Sequence, residues 1–303
     1  MAMTVANDDI SVIGQQLCVQ ENLPVDDLSV HALALSATTG DNNSAVFGDT
    51  VKVPIYSATG DATEWNSSTN NYSTIDGTQS VTFKDVVINQ RYKKTIEIDE
   101  MDLFKVDVAP ILRLELENVA RTMVDIVNAD ITVANFATSK VVGAVGAFDS
   151  DVVIDVRAED QVRQYPQSMR KLAMNVPYSI ALQKDPAIKN HNTLTPVGLP
   201  SNYLLTSFAK FDGGLFELEQ LPTAENLVGI ATNGCGLAIA TPAKFQGNDP
   251  DTSFDQTIVS HNGFNFLLRR TKVVATGAIQ FTIEAQWGSA VADELGITRL
   301  TSA

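Results

Sequence analysis

A long polar segment between two strand patterns constrains this chain more than any other feature. Residues Val51 to Tyr56 have the composition of a β-strand, and strand character returns at Ser80 and continues to Ile98. The residues from Ser57 to Gln79 between them are mainly Ser, Thr, Asn, Asp, Gly and Ala. A loop of that length is uncommon in a compact domain and usually serves a function or stays disordered. We therefore expect a loop on two long strands that reaches a neighbouring molecule.

The returning strand pattern changes its periodicity partway along. Apolar residues occupy odd positions as far as Phe83 and even positions from Val86 onward. Because successive side chains of a strand point to opposite faces, this switch predicts a bulge or twist near Lys84-Asp85. The segments together predict a bent, two-stranded arm, which is marginally stable alone and needs a partner surface.

A long amphipathic helix is predicted directly after the arm. The segment from Asp99 to Asp102 and Asp107 supply good helix-start residues, with acids near the N-terminal end of the helix dipole, and Pro110 is tolerated in a first turn. From there to about Phe136, apolar residues recur at spacings of three and four, which mark one face of a helix about 42 Å long. These apolar residues are Leu112, Leu116, Val119, Met123, Ile126, Val127 and Ile131.

The chain beyond this helix has a mixed pattern of helices and strands. A glycine-broken connector at residues 140–150 marks a candidate boundary between two lobes. The pattern then predicts a helix from Asp155 to Tyr165 and a strand from Val176 to Gln183. Further on, Asn233-Gly234 predicts a hairpin with a type I′ turn between Ile230 and Ile239.

Strand patterns return near the end of the chain. Apolar residues alternate from Phe264 to Leu268 and again over nine residues from Ile279 to Trp287. This alternation is typical of strands with one buried face.

Composition indicates a globular protein without a membrane segment. The chain has 303 residues, of which 44% are apolar and 19% charged, so it can form one large domain or two lobes. It contains no run of about 18 apolar residues, and its first residues do not have the pattern of a signal peptide. The two cysteines, Cys18 and Cys235, lie among apolar neighbours, so we expect small buried side chains and folding in a reducing cytoplasm.

The charge is acidic and unevenly distributed. The formal net charge of −15 argues against a protein that grips nucleic-acid phosphates through a basic surface. Residues 1–51 contain no Lys or Arg, so this segment is either a solvated acidic tail or an acidic arm docked on a basic strip. Its acids are Asp8, Asp9, Glu21, Asp26, Asp27, Asp41 and Asp49. Basic residues cluster elsewhere, at Arg91, Lys93 and Lys94, at Arg170 and Lys171, and at Arg269, Arg270 and Lys272.

Motifs for catalysis, metals and cofactors are missing from the sequence. The three histidines are far apart, and no phosphate-binding loop or nucleophile motif occurs, so we expect no catalytic residue, no metal and no cofactor. Asp149, Asp151 and Asp155 resemble a fragment of a calcium loop, but Ile154 stands where that loop requires glycine. We expect these aspartates to cap a helix instead.

The order of the predicted elements and the local sequence resemble the major capsid protein family of tailed bacteriophages. Gly48 to Pro54 is similar to the family's entry into its extended loop, and Val81 to Asp102 to the return strand that leads into its spine helix. Ala120 to Asp130 resembles the middle of the spine helix, and Gly263 to Gly288 the late strands of the peripheral domain.

The resemblance implies an α+β fold with an axial domain, a peripheral domain with a long spine helix, an extended β-hairpin loop and an N-terminal arm. Five segments follow from it. They are the N-terminal arm at 1–48, the extended loop at 49–105, the peripheral domain with the spine helix at 106–148, the axial domain at 149–250 and the returning peripheral strands at 251–303.

The resemblance also implies a structural protein of the virion that is not an enzyme. It would assemble in the cytoplasm of a host bacterium into hexamers and pentamers of an icosahedral capsid around double-stranded DNA, without sequence-specific DNA binding. A separate scaffolding protein, a portal and a decoration protein are candidate partners. Residues 1–48 are too short for the cleavable scaffolding segment of some members, and the loop lacks the crosslinking lysine of others.

Seven residues are candidates for contacts between subunits. The large aromatics of the polar loop anchor it on a neighbour, or pack within the loop itself. Together with the basic clusters, the candidates are Trp65, Tyr72, Arg91, Lys93, Lys94, Arg269 and Arg270. Two other functions are open: the shell of a bacterial nanocompartment, which shares the capsid fold, and a soluble α/β enzyme with its site in residues 149–250.

Overall fold

The chain has an α+β fold, seen in a computed structural model. The structure describes residues 10–18, 23–36, 45–58, 79–99, 102, 105, 107–162, 167–186, 203–205, 209–222, 224–245, 254–273 and 275–302. The helices are α1 (Ile10–Cys18), α2 (Val108–Asn128), α3 (Ser150–Val162) and α4 (Val176–Lys184). Short 3₁₀ helices occupy Pro24–Val30, Val145–Ala147, Gln167–Met169 and Ala224–Asn226.

Fourteen strands are defined within the described residues. They are β1 (Ala32–Ser36), β2 (Thr50–Ala58), β3 (Gln79–Val87), β4 (Gln90–Ile98), β5 (Ser139–Val141), β6 (Lys171–Asn175), β7 (Tyr203–Leu205), β8 (Leu215–Leu218), β9 (Leu227–Thr232), β10 (Leu237–Thr241), β11 (Phe254–His261), β12 (Phe264–Lys272), β13 (Ile279–Val291) and β14 (Ile297–Thr301).

These strands form two large sheets and one hairpin. The first sheet has the order β1-β10-β13-β12-β11, and β4 also pairs with β13. The second sheet has the order β5-β14-β9-β6-β8-β7. Strands β2 and β3 form a separate antiparallel pair, the hairpin. Both predicted C-terminal strands are confirmed, since they lie within β12 and β13.

Helix α2 supplies the centre of the main hydrophobic core. The Asp107 side chain accepts a hydrogen bond from the Ala109 backbone N–H at 3.3 Å, as predicted for its start. Leu112, Leu116 and Met123 on its predicted apolar face are at most 1% exposed. They pack with residues of both large sheets, including Phe281 of β13.

The predicted extension of this helix to Phe136 is wrong. Helix α2 ends at Asn128, and the chain continues in turns in which the Phe136 backbone N–H donates to the Thr132 carbonyl at 2.8 Å. Asn128 is buried, and its side chain donates to the Gln220 carbonyl at 2.6 Å. The spacing of apolar residues indicates which side chains are buried, but it does not show that the backbone is helical. Phe136 is buried in the same core although its backbone is not helical.

The segment around α1 is packed against the main core. The predicted short helix is confirmed as Ile10–Cys18, and Ile10, Ile13 and Leu17 are at most 7% exposed. Val25 and Leu28 of the following 3₁₀ helix are fully buried in the same cluster. This part of the chain therefore stabilises the subunit itself.

A second core lies on the opposite face of the second sheet. On strand β6, Ala173 packs in the main core, whereas Leu172 and Met174 point to the other side. There they meet Val153 of α3 and Leu182 of α4, and all four of these second-core side chains are at most 1% exposed. Helices α3 and α4 therefore cover the second sheet.

Two element predictions in this region need correction. The segment predicted as a strand from Val176 is helix α4, because β6 ends just before it and the Asn175 side chain caps the helix by accepting from the Tyr178 N–H at 3.4 Å. The helix predicted from Asp155 begins earlier, at Ser150. Asp149 Oδ1 accepts the backbone N–H groups of Asp151 and Val152, both at 3.1 Å, which confirms its capping role.

The predicted hairpin around Asn233-Gly234 is also wrong. Strand β9 pairs with β6 and β14 in the second sheet, whereas β10 pairs with β1 and β13 in the first. Each strand is buried along its whole length because each has a hydrophobic core on both of its faces. The Asn-Gly turn of a hairpin occurs instead at Asn262 and Gly263, whose φ angles of 46° and 88° suit a type I′ turn between β11 and β12.

No helix among the described residues is long and apolar enough to cross a membrane.

Replacing Leu116 by Ala will test the role of α2 in the core. Leu116 is fully buried, so Leu116→Ala should lower the free energy of unfolding by about 2–5 kcal/mol. Leu114→Ala on the same helix is the control, because Leu114 is 62% exposed and its change should stay within about 0.5 kcal/mol. Urea denaturation of the dissociated subunit measures both, and equal losses would contradict this packing.

Candidate functional site

The root of the hairpin, which is the end that contains Val51, Val53 and Val86, packs around a small apolar core of its own. Val51 and Val53 of β2 and Val86 of β3 are at most 2% exposed. They pack, with Ile88, on alanines of β10 and of the chain after β13. These alanines are Ala238, Ala240 and Ala292. The small side chains let the hairpin lie close to the first sheet.

The closest approach occurs at Gly288 of β13. A Cβ atom on Gly288 would lie 1.9 Å from the carbonyl oxygen of Val87, so only glycine fits. The adjoining chain is also fixed by hydrogen bonds: the Gly48 N–H donates to the Ile88 carbonyl at 2.8 Å, and the Ile88 N–H donates to the Asp49 carbonyl at 3.0 Å. The hairpin root is thus seated directly on β13.

The break between β3 and β4 lies at Ile88-Asn89, and the predicted bulge near Lys84-Asp85 is wrong. The β2–β3 register is continuous from Thr50↔Val87 to Ala58↔Gln79. Phe83 is an apolar residue at an odd position, but it lies on the exposed face of the hairpin, with 60% of its surface accessible. Its apolar character therefore suggested a change of face that does not occur. Beyond the break, the chain leaves the hairpin and joins β13 as β4.

Near its root, the second face of the hairpin carries exposed side chains. Phe83 is 60% and Val87 is 42% accessible, and Lys52 and Asp85 on the same face are also exposed. The packed face supplies the support that an isolated two-stranded hairpin lacks, so the exposed face is not needed for the stability of the hairpin root. The candidates Trp65 and Tyr72 belong to residues 59–78, outside the described residues, so their role in contacts stays a prediction.

The basic candidates lie on two opposite faces of the first sheet. On β4, Arg91 and Lys93 point to one face and Lys94 to the other, because side chains alternate along a strand. The pairing of β4, β13 and β12 places Arg269 on the face of Arg91 and Arg270 on the face of Lys94. Arg91 on one face and Lys94 and Arg270 on the other therefore cannot all belong to one basic strip.

Arg91 has a partner within the subunit. Its Nε donates to Glu284 Oε1 at 2.7 Å and its Nη2 to Glu284 Oε2 at 3.2 Å, a bidentate ion pair. Glu284 is 2% exposed and also accepts from Gln286. An unpaired carboxylate at that depth would be costly, so Arg91 stabilises the sheet in addition to presenting charge. On the other face, Lys94 Nζ lies 3.9 Å from Glu115 Oε2 of α2.

Two of the three described acids of the N-terminal segment, Asp26 and Asp27, are buried, and the third, Asp49, accepts the backbone N–H of Val46 at 2.9 Å. Asp26 is buried and accepts hydrogen bonds at Oδ1 from Asn262 at 2.6 Å and from the His261 ring at 2.8 Å. Asp27 accepts the backbone N–H of Glu219 at 3.1 Å. For these two acids the predicted docked arm is replaced by burial within the subunit; Asp8, Asp9, Glu21 and Asp41 lie outside the described residues.

Hydrogen bonds keep Asp26 ionised although it is buried. Burial alone raises the pKa of a carboxyl group, but the bonds from His261, Asn262 and the Leu23 backbone outweigh that effect and lower the pKa of Asp26 below 3.8. The charge thus links the 3₁₀ helix after α1 to the turn between β11 and β12.

His31 is a buried neutral imidazole next to the end of α2. Its Nε2 is 2.8 Å from Asn128 Oδ1, which accepts, and its Nδ1 has no hydrogen-bond partner among the described residues. Burial lowers the pKa of His31 to about 4, against the opposing effect of the Asn128 hydrogen bond. A second ring proton would have no acceptor, which agrees with this direction.

A groove beside α4 is the concave feature that bears on the enzyme alternative. It has a volume of about 360 Å³, and its lining is formed by Val145, Gly146, Phe148, Pro177, Ile180, Ala181 and Lys184. Lys184 is the single titratable group of this lining, whereas a catalytic site needs several converging polar groups. Within the described ranges, no cluster of three or more His, Cys, Asp or Glu side chains could hold a metal ion.

Cys235 differs from the expectation of a small buried side chain, because it is a free, half-buried thiol.

Solved structures with a similar fold include a phage capsid and a virus-like particle. The chain is similar to the capsid of the cyanophage P-SCSP1u, with a TM-score of 0.50, 13% identity and 86% of each chain covered. It is similar to a structure from the Gordonia phage Cozz, with a TM-score of 0.50, 14% identity and coverage of 94% of this chain and 88% of that one. A virus-like particle from Pyrococcus furiosus gives a TM-score of 0.52 and 13% identity, covering 98% of this chain and all of that one.

The chain therefore has the fold of tailed-phage major capsid proteins, and the fold class predicted from the sequence is confirmed. No protein-family model matches the sequence, and no curated protein sequence matches it.

Replacing Gly288 by Ala will test the close packing of the hairpin root on β13. The new methyl group meets the backbone of Val87, which cannot move aside as a side chain would, so Gly288→Ala should lower the free energy of unfolding by about 1–3 kcal/mol. Amide exchange at Gly48 and Ile88 should also become faster. Gly146→Ala is the control, because its Cβ would have no neighbour within 4 Å. Identical stability and exchange in both variants would contradict the close approach.

The buried His31 predicts a loss of stability in acid. Between pH 6.5 and about 4 the unfolded chain binds a proton at this histidine and the folded chain does not, so stability falls as the pH falls through this window. The loss attributable to His31 is about 3 kcal/mol. His31→Gln keeps an N–H donor but cannot titrate, so its urea denaturation midpoints should depend less on pH. An unchanged dependence would rule out His31 as the cause.

Proposed function

We propose that this chain is the major capsid protein of a tailed phage. Copies of it would form hexamers and pentamers that close into an icosahedral shell around double-stranded DNA, and its place would be the virion. The single observation that carries the proposal is the fold, which is similar to that of a cyanophage capsid structure. The hairpin supports it, because its root is fixed to the subunit while its second face is left for another molecule.

The segment boundaries expected from the sequence belong to the same proposal. The extended loop corresponds to residues 49–105, the peripheral domain to 106–148 and 251–303, and the axial domain to 149–250. In this assignment α2 is the spine helix, and the layer of α3 and α4 on the second sheet belongs to the axial domain. Residues 1–48 would be the N-terminal arm, of which α1 and the following 3₁₀ helix pack in the core of their own subunit.

The charge suits a shell that contains DNA without gripping it. A net charge of −15 per chain repels a polyanion, so packaged DNA would be confined rather than bound. The same repulsion acts between subunits and must be offset by interfaces. A scaffolding protein, a portal and a decoration protein complete the proposed set of partners, and assembly would take place in the bacterial cytoplasm.

The virus-like particle of similar fold favours a second candidate, a shell protein that encloses cargo other than a phage genome.

Electron microscopy of particles made by the expressed chain tests the proposal that both candidates share, which is that the chain forms a shell. Phage DNA in particles recovered from lysates supports the capsid, and particles whose content is protein support the alternative. A chain that stays monomeric with all assembly partners present would contradict both the capsid and the cargo-enclosing shell.

Shortening the hairpin will test its role in assembly. Ala58 and Gln79 are paired directly across the hairpin, so a two-residue Asn-Gly turn can replace residues 59–78. The variant should keep the unfolding free energy of the parent within about 0.5 kcal/mol, because the root and both cores are unchanged. It should form no stable shells by electron microscopy. If the shortened subunit unfolds, the segment belongs to the subunit core instead.

The outward basic residues of the first sheet remain candidates for contacts between subunits. Lys93 is exposed and tests them more cleanly than Arg91, whose loss would leave Glu284 buried and unpaired. Lys93→Gln removes the charge without placing a carboxylate opposite Glu284, its partner in the β4–β13 register, and should reduce shell yield at low salt, with a difference from the parent that shrinks as ionic strength rises. Lys210→Gln is the control, because it changes the net charge equally at an exposed turn. Equal shell yields for the two variants would show that Lys93 does not take part in contacts between subunits.

A further inference from the structure

Three elements at the beginning of the described chain cover one side of the main core. They are α1, the 3₁₀ helix Pro24–Val30 and β1, and we call them the cover segment. Helix α1 contacts β11, β12 and α2, and a Cβ atom on Gly14 would lie 2.6 Å from the Thr257 methyl group of β11. Strand β1 stands at one end of the first sheet and pairs there with β10. The cover segment can therefore leave while β10, β13, β12 and β11 stay paired with one another.

Polar contacts tie the 3₁₀ helix of the cover segment to other parts of the subunit. The residues that make these contacts are Asp26, Asp27, Ser29 and, directly after the helix, His31. Two of the contacts contain a histidine: Asp26 is bonded to His261 in the β11–β12 turn, and His31 is bonded to Asn128 at the end of α2. Histidine gains a charge between neutral and mildly acidic pH, so these two contacts respond to protons.

The contact between Asp26 and His261 becomes stronger in mild acid. Asp26 is ionised, so a proton gained by the His261 ring places a positive charge on a group whose Nε2 lies 2.8 Å from Asp26 Oδ1. This contact therefore holds the cover segment closed and cannot be the cause of an opening in acid.

His31 responds in the opposite direction. Its side chain is fully buried, its Nε2 donates to Asn128 Oδ1 at 2.8 Å, and its Nδ1 has no hydrogen-bond partner among the described residues. The Asn128 amide nitrogen donates to the Gln220 carbonyl, and the His31 carbonyl already accepts the N–H groups of Gly236 and Leu237. A second ring proton would therefore be buried without an acceptor.

The charges around His31 add to the cost of a second proton. Burial lowers the pKa of His31 to about 4, and the positive charge of Lys171 on β6 acts in the same direction, against the hydrogen bond to α2. In the turn between β9 and β10, burial raises the pKa of the Cys235 thiol, so this group is neutral. The acids of the cover segment, Asp26 and Asp27, are bonded to other groups. A protonated His31 would thus be a second buried cation near a lysine.

We propose that His31 is a proton-operated release for the cover segment. In the closed segment the imidazole has no place for a second proton, whereas in the opened segment it lies in water and takes one up. Acid therefore shifts the subunit toward a state in which the cover segment is open and the other strands of the first sheet remain paired. Opening uncovers Ile10, Ile13 and Leu17 of α1, which gives the acid form an apolar surface that the neutral form lacks. The release is a property of the single subunit and does not depend on the proposed shell function.

Hydrogen–deuterium exchange of the purified protein, read by mass spectrometry, tests the release. Peptides of α1 and of Pro24–Val30 are compared with peptides of β13, whose exchange reports unfolding of the whole subunit. The cover segment should have the lower protection at both about pH 7 and about pH 5, after correction for the intrinsic effect of pH on exchange. With the pKa of His31 at about 4 in the closed state and 6.5 in the open state, its protection should fall about twentyfold between these two pH values.

Two glutamine variants isolate the effect of His31. His31→Gln keeps an N–H donor for Asn128 but cannot take up a proton, so the twentyfold fall should disappear. His261→Gln is the matched control, because it removes the other histidine that holds the cover segment and leaves His31 in place, so the fall should remain. Circular dichroism checks that each variant is folded.

The outcomes decide the proposal even if one variant does not fold. A cover segment that is less protected than β13, with a fall that requires His31, supports the release. Equal protection of the cover segment and β13 in the parent would show that the segment opens only with the whole subunit, which overturns the release. A fall in His31→Gln as large as in the parent would also overturn it, because the proton would then be taken up elsewhere.

Discussion

Strand β13 is the element on which the rest of the structure depends. One of its edges pairs with β12, and the other pairs with β4 and then with β10. On its core face, Phe281, Ile283 and Trp287 pack with α2, and on its opposite face Gly288 lies under the hairpin root. A strand that is paired on both edges and buried along its centre cannot shift without disturbing its neighbours. The position of the hairpin is therefore coupled to the main core.

This coupling divides the hairpin into two parts with different roles. Its root contributes to the stability of the subunit, because Val53 and Val86 are buried against the first sheet. Its exposed face, which carries Phe83, adds little to that stability. A subunit of this kind folds on its own core and still offers surface to a neighbour.

The charged residues act within the subunit more than their distribution in the sequence implied. Arg91 neutralises a buried glutamate, and Asp26 joins the segment after α1 to the β11–β12 turn. Neither role is visible from charge counts, because both partners lie more than 190 residues away along the chain. Clusters such as Arg91, Lys93 and Lys94 look like one patch in sequence, yet alternation along β4 places Lys94 on the opposite face.

The sequence by itself determined the local elements: the alternation of β13, the capped start of α2 at Asp107 and the polar segment that separates β2 from β3. These follow from spacing and capping, which act over a few residues. The tertiary structure alone decided that α2 ends at Asn128 and that β9 and β10 lie in different sheets. Strand pairing and helix ends there depend on distant partners, whose positions local periodicity does not contain.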